Sequence, residues 1–328
     1  MPIRCFCFLA LVTLVPIRAG GTEPLQAWGT LALRANHLIQ QGNHAEAIDV
    51  AKRALAIAKS FGPNDPNIAI SYHTLAIAHQ NAGNCSDARA SFCRAIVIWR
   101  AQPVPAGQDF FNSALSLLNG ACECGDFTAA EKLYRVYGRM LEQSASGPLD
   151  RGRLEILKAL LARGKKRYAE TEAHLREALR LYGELSKPPV HDLSHAEASL
   201  GVILRHEGRL AESLEYELRA LDGMLQTAPH EPATIGALNN VGCALSDLER
   251  GAEAEKYFAS AVELATRQLG EDNGMTAQIM LNYSQQLKKN NQAAEAEAMR
   301  KRAKAASRRA AWRNNQTIDI KDLKLGLP

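Results

Sequence analysis

Apolar residues recur at helical spacing along most of the chain. In the segment ALNNVGCALSDL, Leu238, Val241 and Leu245 fall on one helix face. In AEKYFASAVELA, a similar face is formed by Tyr257, Phe258, Ala261 and Val262. Spacings of three and four residues are typical of amphipathic helices, whose apolar stripe must be covered by a neighbour. The pattern therefore predicts helices that pack against one another.

These helices repeat with an alternating spacing of 41 and 42 residues, which we call the ruler. Its seven repeat positions, which we call marks, are Gly42, Gly83, Gly125, Lys166, Gly208, Glu249 and Asn291. The positions seven before, five after and twelve after each mark are small at 19 of 21 places, the exceptions being Leu118 and Tyr137. Small side chains let two helices cross closely. Each mark is therefore predicted to be the turn between two packed helices.

Helix breakers separate successive units. They fall 20 to 23 residues after a mark, at Pro63, Pro103, Pro148, Pro188, Pro229 and Gly270. Each unit is then a hairpin of two helices, one ending at the mark and one beginning just after it. A single hairpin cannot bury its own apolar face, so the predicted fold class is an all-α solenoid of about seven stacked hairpins.

Composition narrows the function classes. Of the 328 residues, 46% are hydrophobic and only 6% aromatic, which disfavours a β-sandwich or barrel and leaves enough apolar surface to exclude disorder. The formal net charge is only +4, whereas phosphate binding needs clustered excess cations. We therefore expect a helical protein that does not bind nucleic acid.

The first twenty residues have the layout of a secretory signal. Arg4 precedes an uncharged run over residues 5–15, and the small residues Ala19, Gly20 and Gly21 follow. Eleven residues are too few for a membrane span, which needs about 20. We expect residues 1–20 to direct export to a periplasmic or extracellular location, the alternatives being an uncleaved anchor or a mistaken start codon. The solenoid would then cover residues 21–311, followed by a tail at 312–328.

Two segments resemble tetratricopeptide repeats in the 42-residue form of kinesin light chains and many bacterial proteins. They are GNHAEAIDVAKRALAIAKSFGPNDPNIAISYHTLAIAHQNAGN and ALNNVGCALSDLERGAEAEKYFASAVELATRQLGED. The resemblance extends over roughly residues 28 to 311. It implies a right-handed superhelix whose first helices line a concave groove that binds peptides or extended protein segments. Departures at Leu118, Tyr137, Lys165 and Lys166 predict altered packing in the third and fourth units.

The inward faces of the first helices give a polar candidate groove. Its residues are Asn36, His73, Gln80, Asn81, Asn112, Asn119, Glu123, Arg153, Arg163, His195, Arg205, His206, Asn239, Asp247, Gln285 and Lys288. Amide side chains both donate and accept, so they can hold a peptide backbone without reading its side chains. Asn240 and Asn282 match the asparagine that the light-chain type places beside the groove.

Arginines concentrate in the fourth and fifth units of this lining. Arg153, Arg163 and Arg205 could clamp a carboxylate, because a guanidinium fork forms paired bonds to it. The partner would then be an acidic protein or peptide. The alternative is a solvated helix face without a ligand.

Cysteines allow one disulfide hypothesis. After removal of the signal the chain keeps Cys85, Cys93, Cys122, Cys124 and Cys243, an odd number. Cys85 begins a second helix and Cys124 ends a first helix, so both should lie at the same end of the stack. They are the candidate pair, and isolated buried thiols are the alternative.

Chemistry beyond binding has no support in the sequence. His191 and His195 are four residues apart and His206 follows, but prolines precede the first of them and no third metal ligand is evident. Asp192 is predicted to cap its helix instead. Nucleotide and nucleophile motifs are missing from the sequence, so we expect no catalytic residue, metal or cofactor. A histidine-dependent hydrolase is the remote alternative.

The C-terminal region is basic. Its cations are Arg300, Lys301, Arg302, Lys304, Arg308, Arg309 and Arg313. We expect a solvating terminal helix with Trp312 over the last hairpin, the alternative being contact with a membrane surface or an acidic partner. The following tail alternates Ile318, Ile320, Leu323 and Leu325 with polar residues, so it either extends along the solenoid or a partner, or is disordered.

Two functional hypotheses follow. The leading one is an adaptor that holds a peptide or extended segment in the groove. The other is a scaffold of an envelope assembly that uses its convex face and its tail.

Overall fold

The computed structural model describes residues 23–101, 107–123, 125–227, 229 and 231–314. Within these ranges the chain forms fourteen α-helices and one short 3-10 turn, Lys59–Phe61, with no strand. The predicted all-α fold class is confirmed. The predicted signal at 1–20, Pro103, Cys124 and the tail beyond Asn314 lie outside the described residues.

Helices alternate as the first and second members of hairpins. The first helices are α1 (Glu23–Gln40), α3 (Pro66–Asn81), α5 (Gly107–Glu123), α7 (Gly147–Gly164), α9 (Val190–His206), α11 (Pro232–Asp247) and α13 (Gly274–Lys289). The second helices are α2 (His44–Ala58), α4 (Cys85–Arg100), α6 (Phe127–Ser144), α8 (Tyr168–Gly183), α10 (Leu210–Thr227), α12 (Gly251–Leu269) and α14 (Ala293–Asn314). Every first helix ends two residues before a mark of the ruler, and every second helix begins two residues after it.

All seven marks share one backbone conformation. Their φ angles are positive, from 59° at Lys166 to 80° at Gly83. Each turn closes with the same pair of backbone hydrogen bonds. In the second hairpin, Gly83 N donates to Gln80 O at 2.9 Å and Asn84 N donates to His79 O at 2.8 Å. This is the Schellman motif, which satisfies the last carbonyls of a helix by turning one residue left-handed.

The fourth turn does not depart from this pattern. Lys166 N donates to Arg163 O at 2.9 Å and Arg167 N donates to Ala162 O at 3.0 Å, as in the glycine turns. The expectation that Lys165 and Lys166 would disturb this turn is wrong. The backbone hydrogen bonds outweigh the cost of a left-handed lysine.

The small positions of the ruler lie where helices cross. All 21 are buried, including the two large exceptions, Leu118 and Tyr137. At Gly201 a Cβ would come within 2.7 Å of Glu217 Cγ, and at Gly242 within 3.0 Å of the Phe258 ring. The absence of a side chain therefore sets how closely α9 approaches α10 and how closely α11 approaches α12.

Two compact units divide the chain, residues 1–233 and 234–328. Large buried side chains in the first unit include Phe92, Phe111 and Tyr182. In the second, Ile279 and Met280 of α13 pack with Ala261 and Ala303 of the two neighbouring second helices. Each unit therefore has an apolar core built between stacked hairpins.

First and second helices bury different fractions of their surface. In α3 every residue from Ile68 to His79 is buried, and in α9 every residue from Ser194 to Leu204. The second helix α8 buries only a stripe, formed by Thr171, Leu175, Ala178, Leu181 and Tyr182. Polar side chains on the first helices must consequently find partners inside the protein. Among the described helices, none has the length and apolar character needed to cross a membrane.

Candidate functional site

Buried polar groups of the first helices bond from one hairpin to the next. Trp28 Nε1 donates to Ser71 Oγ at 2.9 Å, joining α1 to α3. His73 Nδ1 lies 2.8 Å from Ser113 Oγ, joining α3 to α5. Trp99 Nε1 also donates to Ser113 Oγ, at 3.1 Å. Ser113 Oγ thus accepts from Trp99 and bonds to His73 Nδ1, whose role as donor or acceptor depends on the imidazole tautomer.

The environment of His73 disfavours its charged form. Burial lowers the pKa of this imidazole from 6.5 to about 4. The edge of the ring also packs against Phe92, with centroids 5.5 Å apart. His73 is therefore a neutral hydrogen-bonding group at neutral pH.

A second bridge joins α5 to α7. Gln108 Nε2 donates to Asn112 Oδ1 at 3.4 Å and to Asp150 Oδ1 at 3.1 Å. The other oxygen of Asp150 accepts from Ser146 N at 3.1 Å and from Ser146 Oγ at 2.9 Å. Asn112, a predicted groove residue, is thus tied to the start of the next first helix.

Arg153 forms an internal ion pair. Its Nε and Nη2 donate to the two carboxylate oxygens of Asp192 at 3.1 and 3.0 Å. The side chains are only 10% and 5% exposed. The prediction that Arg153 clamps a ligand carboxylate is wrong, since its fork already holds an internal one. Asp192 as a helix cap is also wrong, because α9 has Pro189 at its N-cap and no side-chain cap.

Arg163 and Arg205 keep partly exposed side chains. Both stand three residues before a turn, so they occupy equivalent positions on α7 and α9. His206 is exposed and stacks on Tyr168, with ring centroids 5.2 Å apart. Arg163, Arg205 and His206 are therefore accessible. Asn36 and Gln80 are half-buried, and Asn81 is buried.

Asn119 on α5 has an unusual environment. Its side chain is 1% exposed, and neither Oδ1 nor Nδ2 has a hydrogen-bond partner. A buried amide without partners costs about 1–3 kcal/mol. Such a group is rare in a folded protein and indicates a missing partner.

The histidine pair lies near a carboxylate. The rings of His191 and His195 are 4.6 Å apart, and His191 Nε2 lies 3.8 Å from Glu231 Oε2. Burial, and secondarily His191, hold the pKa of His195 well below its usual value. Within the ranges that the structure describes, no group of three His, Cys, Asp or Glu side chains is arranged to hold a metal ion.

Asparagines dominate the lining of the second unit. Asn282 Nδ2 donates to Asn239 Oδ1 at 2.9 Å, and Gln278 Nε2 donates to Asn282 Oδ1 at 3.1 Å. Asn240 is buried, and its Oδ1 has no hydrogen-bond partner. The predicted residues Asp247, Gln285 and Lys288 are exposed.

The predicted disulfide between Cys85 and Cys124 cannot be placed, because the side chain of Cys85 and the whole of Cys124 lie outside the described residues. The side chain of Glu123, a predicted groove residue, also lies outside them. Cys93 is a free thiol, and its burial raises its pKa. The second unit ends in α14, which continues past residue 311 to Asn314. The Trp312 side chain lies outside the described residues.

Sequence reasoning missed the internal partners Ser71, Ser113, Asp150 and Glu231. A signal for them exists, since Trp28–Ser71, His73–Ser113, Gln108–Asp150, Arg153–Asp192 and His191–Glu231 all join residues 39 to 43 positions apart, one hairpin along the chain. Pairing residues across one repeat would have identified Arg153 and Asp192 as partners.

Comparisons with known proteins agree with this geometry. The sequence profile of the tetratricopeptide repeat matches residues 27–101, and a second profile with the same description matches residues 234–273. Residues 27–101 and 234–273 therefore match tetratricopeptide repeats. A search of curated protein sequences finds no match.

Several solved structures share the fold at low identity. The Rap protein complexed with Competence and Sporulation Factor is 12% identical, with 89% of this chain and 78% of that chain covered and a TM-score of 0.67. The Rap conjugation gene regulator of plasmid pLS20, in complex with the Phr* peptide, is 12% identical, with coverages of 96% and 84% and a TM-score of 0.66. NprR in complex with its cognate peptide NprX is 13% identical, with coverages of 93% and 81% and a TM-score of 0.57.

Proposed function

We propose that this protein is a non-catalytic interaction module that holds a peptide or extended protein segment on the polar faces of its first helices. The observation that carries the proposal is Asn119, a buried amide whose donor and acceptor both lack partners. A peptide backbone offers a carbonyl and an N–H that such an amide can satisfy together, once the side chains that cover Asn119 move aside to admit it. Two Rap structures and NprR, which share this fold, were solved in complex with Competence and Sporulation Factor, the Phr* peptide and the peptide NprX, respectively.

The second unit supports the same mode of binding. The Asn239 and Asn282 amides bond to each other, and Asn240 keeps an acceptor without a partner. Amides in this arrangement bind backbone rather than a particular side chain. Sequence selectivity must then come from other groups.

Arg163 and Arg205 are the groups we propose for selectivity. They occupy equivalent positions on neighbouring first helices, and both are partly exposed. Two guanidinium forks at this end favour an acidic segment, because charge-assisted paired bonds are the strongest hydrogen bonds available to a peptide. Export to a periplasmic or extracellular location, inferred from residues 1–20, would place the partner in the same compartment.

Affinity capture from an envelope extract tests this proposal. The bait is the wild-type protein, and the test variant is Arg163→Glu with Arg205→Glu. The matched control is Lys132→Glu with Arg139→Glu, which changes two exposed cations of α6 by the same charge. We expect a partner that is retained by the control and lost with the test variant. A partner that both variants retain contradicts the acidic-segment proposal.

The scaffold alternative has its own variant. Deleting residues 315–328 removes the tail and leaves α14 intact. If the tail deletion loses the partner and the double arginine variant does not, the protein binds through its tail rather than through its first helices.

A further inference from the structure

A polar pocket lies on the second-helix side of the third and fourth hairpins. It has a volume of about 310 Å³, is open to solvent, and is lined by residues of α6, the C-terminal half of α7 and α8. All three helices belong to the first unit. Ligand pockets for small molecules begin at about 300 Å³, so this one suits a small ligand.

The pocket exists because α6 and α8 are joined differently from the next pair of second helices. Between α8 and α10, Arg176 Nη2 bonds to Glu212 Oε1 and Arg209 Nη1 to Glu172 Oε1, both at 2.8 Å. These side chains cross the space between the two helices directly. The charged side chains that flank the pocket instead turn towards α7.

Two clusters of charge face each other across the pocket. On the α6 side, Glu131 Oε1 lies 3.1 Å from Lys165 Nζ, at the end of α7. On the α8 side, His174 Nδ1 lies 2.6 Å from Glu155 Oε2, and Lys158 Nζ lies 2.8 Å from the other oxygen of the same carboxylate. Each wall therefore carries both a carboxylate and an ammonium group.

The remaining lining adds one further pair of charges and an apolar floor. Glu170 Oε1 lies 4.0 Å from His174 Nε2, and Arg135 Nη2 lies 3.9 Å from Glu131 Oε2. Leu161 and Ala162 of α7 supply apolar surface between the two clusters. The pocket therefore presents carboxylates and cationic groups on both sides, which a ligand carrying both an ammonium and a carboxylate can contact together.

We propose that this pocket binds a small zwitterion, a free amino acid or a dipeptide with an apolar side chain. Its ammonium group would bind Glu131 and Glu170, its carboxylate would bind Lys158 and Lys165, and its side chain would cover Leu161. The lining side chains are already paired, but partly exposed ion pairs add little to stability and can exchange partners with a ligand. The proposal does not rest on peptide binding by the first helices.

The test titrates the dipeptide Ala-Leu into the full-length protein and follows the aromatic proton signals of Tyr134 and His174 by NMR. Two further probes are N-acetyl-Ala-Leu, which lacks the ammonium, and Ala-Leu amide, which lacks the carboxylate. We expect saturable shifts with Ala-Leu and binding at least about tenfold weaker for either blocked form, since each loses one charge-assisted contact.

Variants locate the binding. Lys158→Met and Glu170→Gln should each weaken Ala-Leu binding at least about fivefold, because each removes one charged contact. The matched controls Lys132→Met and Glu263→Gln change exposed residues outside the pocket and should leave binding unchanged. Folding of each variant is checked by its circular dichroism spectrum.

Three results would overturn the proposal. The first is the absence of chemical-shift changes up to about 10 mM Ala-Leu, because a dissociation constant above that concentration is weaker than we expect of a built site. The second is that the blocked dipeptides bind as tightly as Ala-Leu. The third is that the pocket variants and the control variants lose Ala-Leu binding equally. Capture of a partner by the first helices is measured separately, so failure here leaves the proposed function intact.

Discussion

The first and second helices of the hairpins use the same kinds of charged residue in opposite surroundings. On α9, a first helix, Asp192 is 5% exposed at its side chain and bonds to Arg153 of the preceding first helix. On α14, a second helix, Glu297 pairs with Arg300 at 2.7 Å with both side chains about half exposed. The comparison shows that burial, rather than the presence of an ion pair, decides what a charged residue contributes.

Breaking the buried pair should have the largest effect. Asp192→Leu leaves the Arg153 guanidinium buried without its carboxylate, which we expect to reduce the free energy of unfolding by about 3–5 kcal/mol. The matched change on a second helix, Glu297→Leu, should cost less than about 1 kcal/mol. Urea unfolding measures both. If the two substitutions reduced the free energy of unfolding equally, burial would not explain what these ion pairs contribute.

The close crossing of α9 and α10 should give the next largest effect. In Gly201→Ala the new methyl group would stand 2.7 Å from Cγ of Glu217, which is fully buried. We expect a loss of about 1–3 kcal/mol. Gly183→Ala, on the second helix α8, meets no atom within 4 Å and should not destabilise the protein. Thermal unfolding of both variants checks this, and a neutral Gly201→Ala would contradict the packing described.

Lowering the pH should destabilise the packing of the first helices by protonating His73. Its folded pKa of about 4 lies below the unfolded value of 6.5, so folding favours the neutral imidazole. This contribution to the free energy of unfolding is fully present above pH 6.5 and is lost as the pH falls towards 4. By pH 5 the loss amounts to about 2 kcal/mol. His73→Gln should flatten the pH dependence of unfolding by that amount. His195 acts in the same direction, so part of the dependence should remain. A profile unaltered by the substitution would contradict a neutral buried His73.

The turns between first and second helices should give the smallest effect. Glu249 has a φ of 61°, which glycine adopts without strain. We expect Glu249→Gly to raise the free energy of unfolding by about 1 kcal/mol. Gly208→Ala, with the same turn at a φ of 79°, should lower it by a similar amount. Chemical unfolding of the two variants tests whether all marks need the same left-handed backbone conformation. If both substitutions changed the free energy of unfolding in the same direction, the marks would not be equivalent.

Much of the fold follows from the sequence alone. The ruler located the turn of every hairpin, including Lys166, Glu249 and Asn291, where no glycine marks it. Small residues and helix periodicity repeat along the chain, so seven copies of a weak signal reinforce one another. The family resemblance is confirmed by the two profile matches.

The candidate site was harder to predict. Arg153 and Arg163 both lie on α7 and were both expected to face the groove, but Arg153 is buried against Asp192 at the start of the next first helix, whereas Arg163 is partly exposed. Such a contact depends on the offset between stacked hairpins, which periodicity within one helix does not determine. Two residues with unsatisfied amide atoms were predicted as groove residues, Asn119 from its place on the inward helix face and Asn240 from the family resemblance, but their burial was not predicted.

The most direct test of the central claim compares peptide binding with stability at Asn119. A peptide selected from a random linear library is titrated by fluorescence anisotropy into wild-type protein and into Asn119→Leu, and both proteins are unfolded in urea. Leucine removes the unsatisfied amide at similar volume, so the free energy of unfolding should stay the same or rise. If this amide holds the peptide backbone, affinity should fall about tenfold or more. Unchanged affinity in a stably folded Asn119→Leu variant would contradict peptide binding through the first helices.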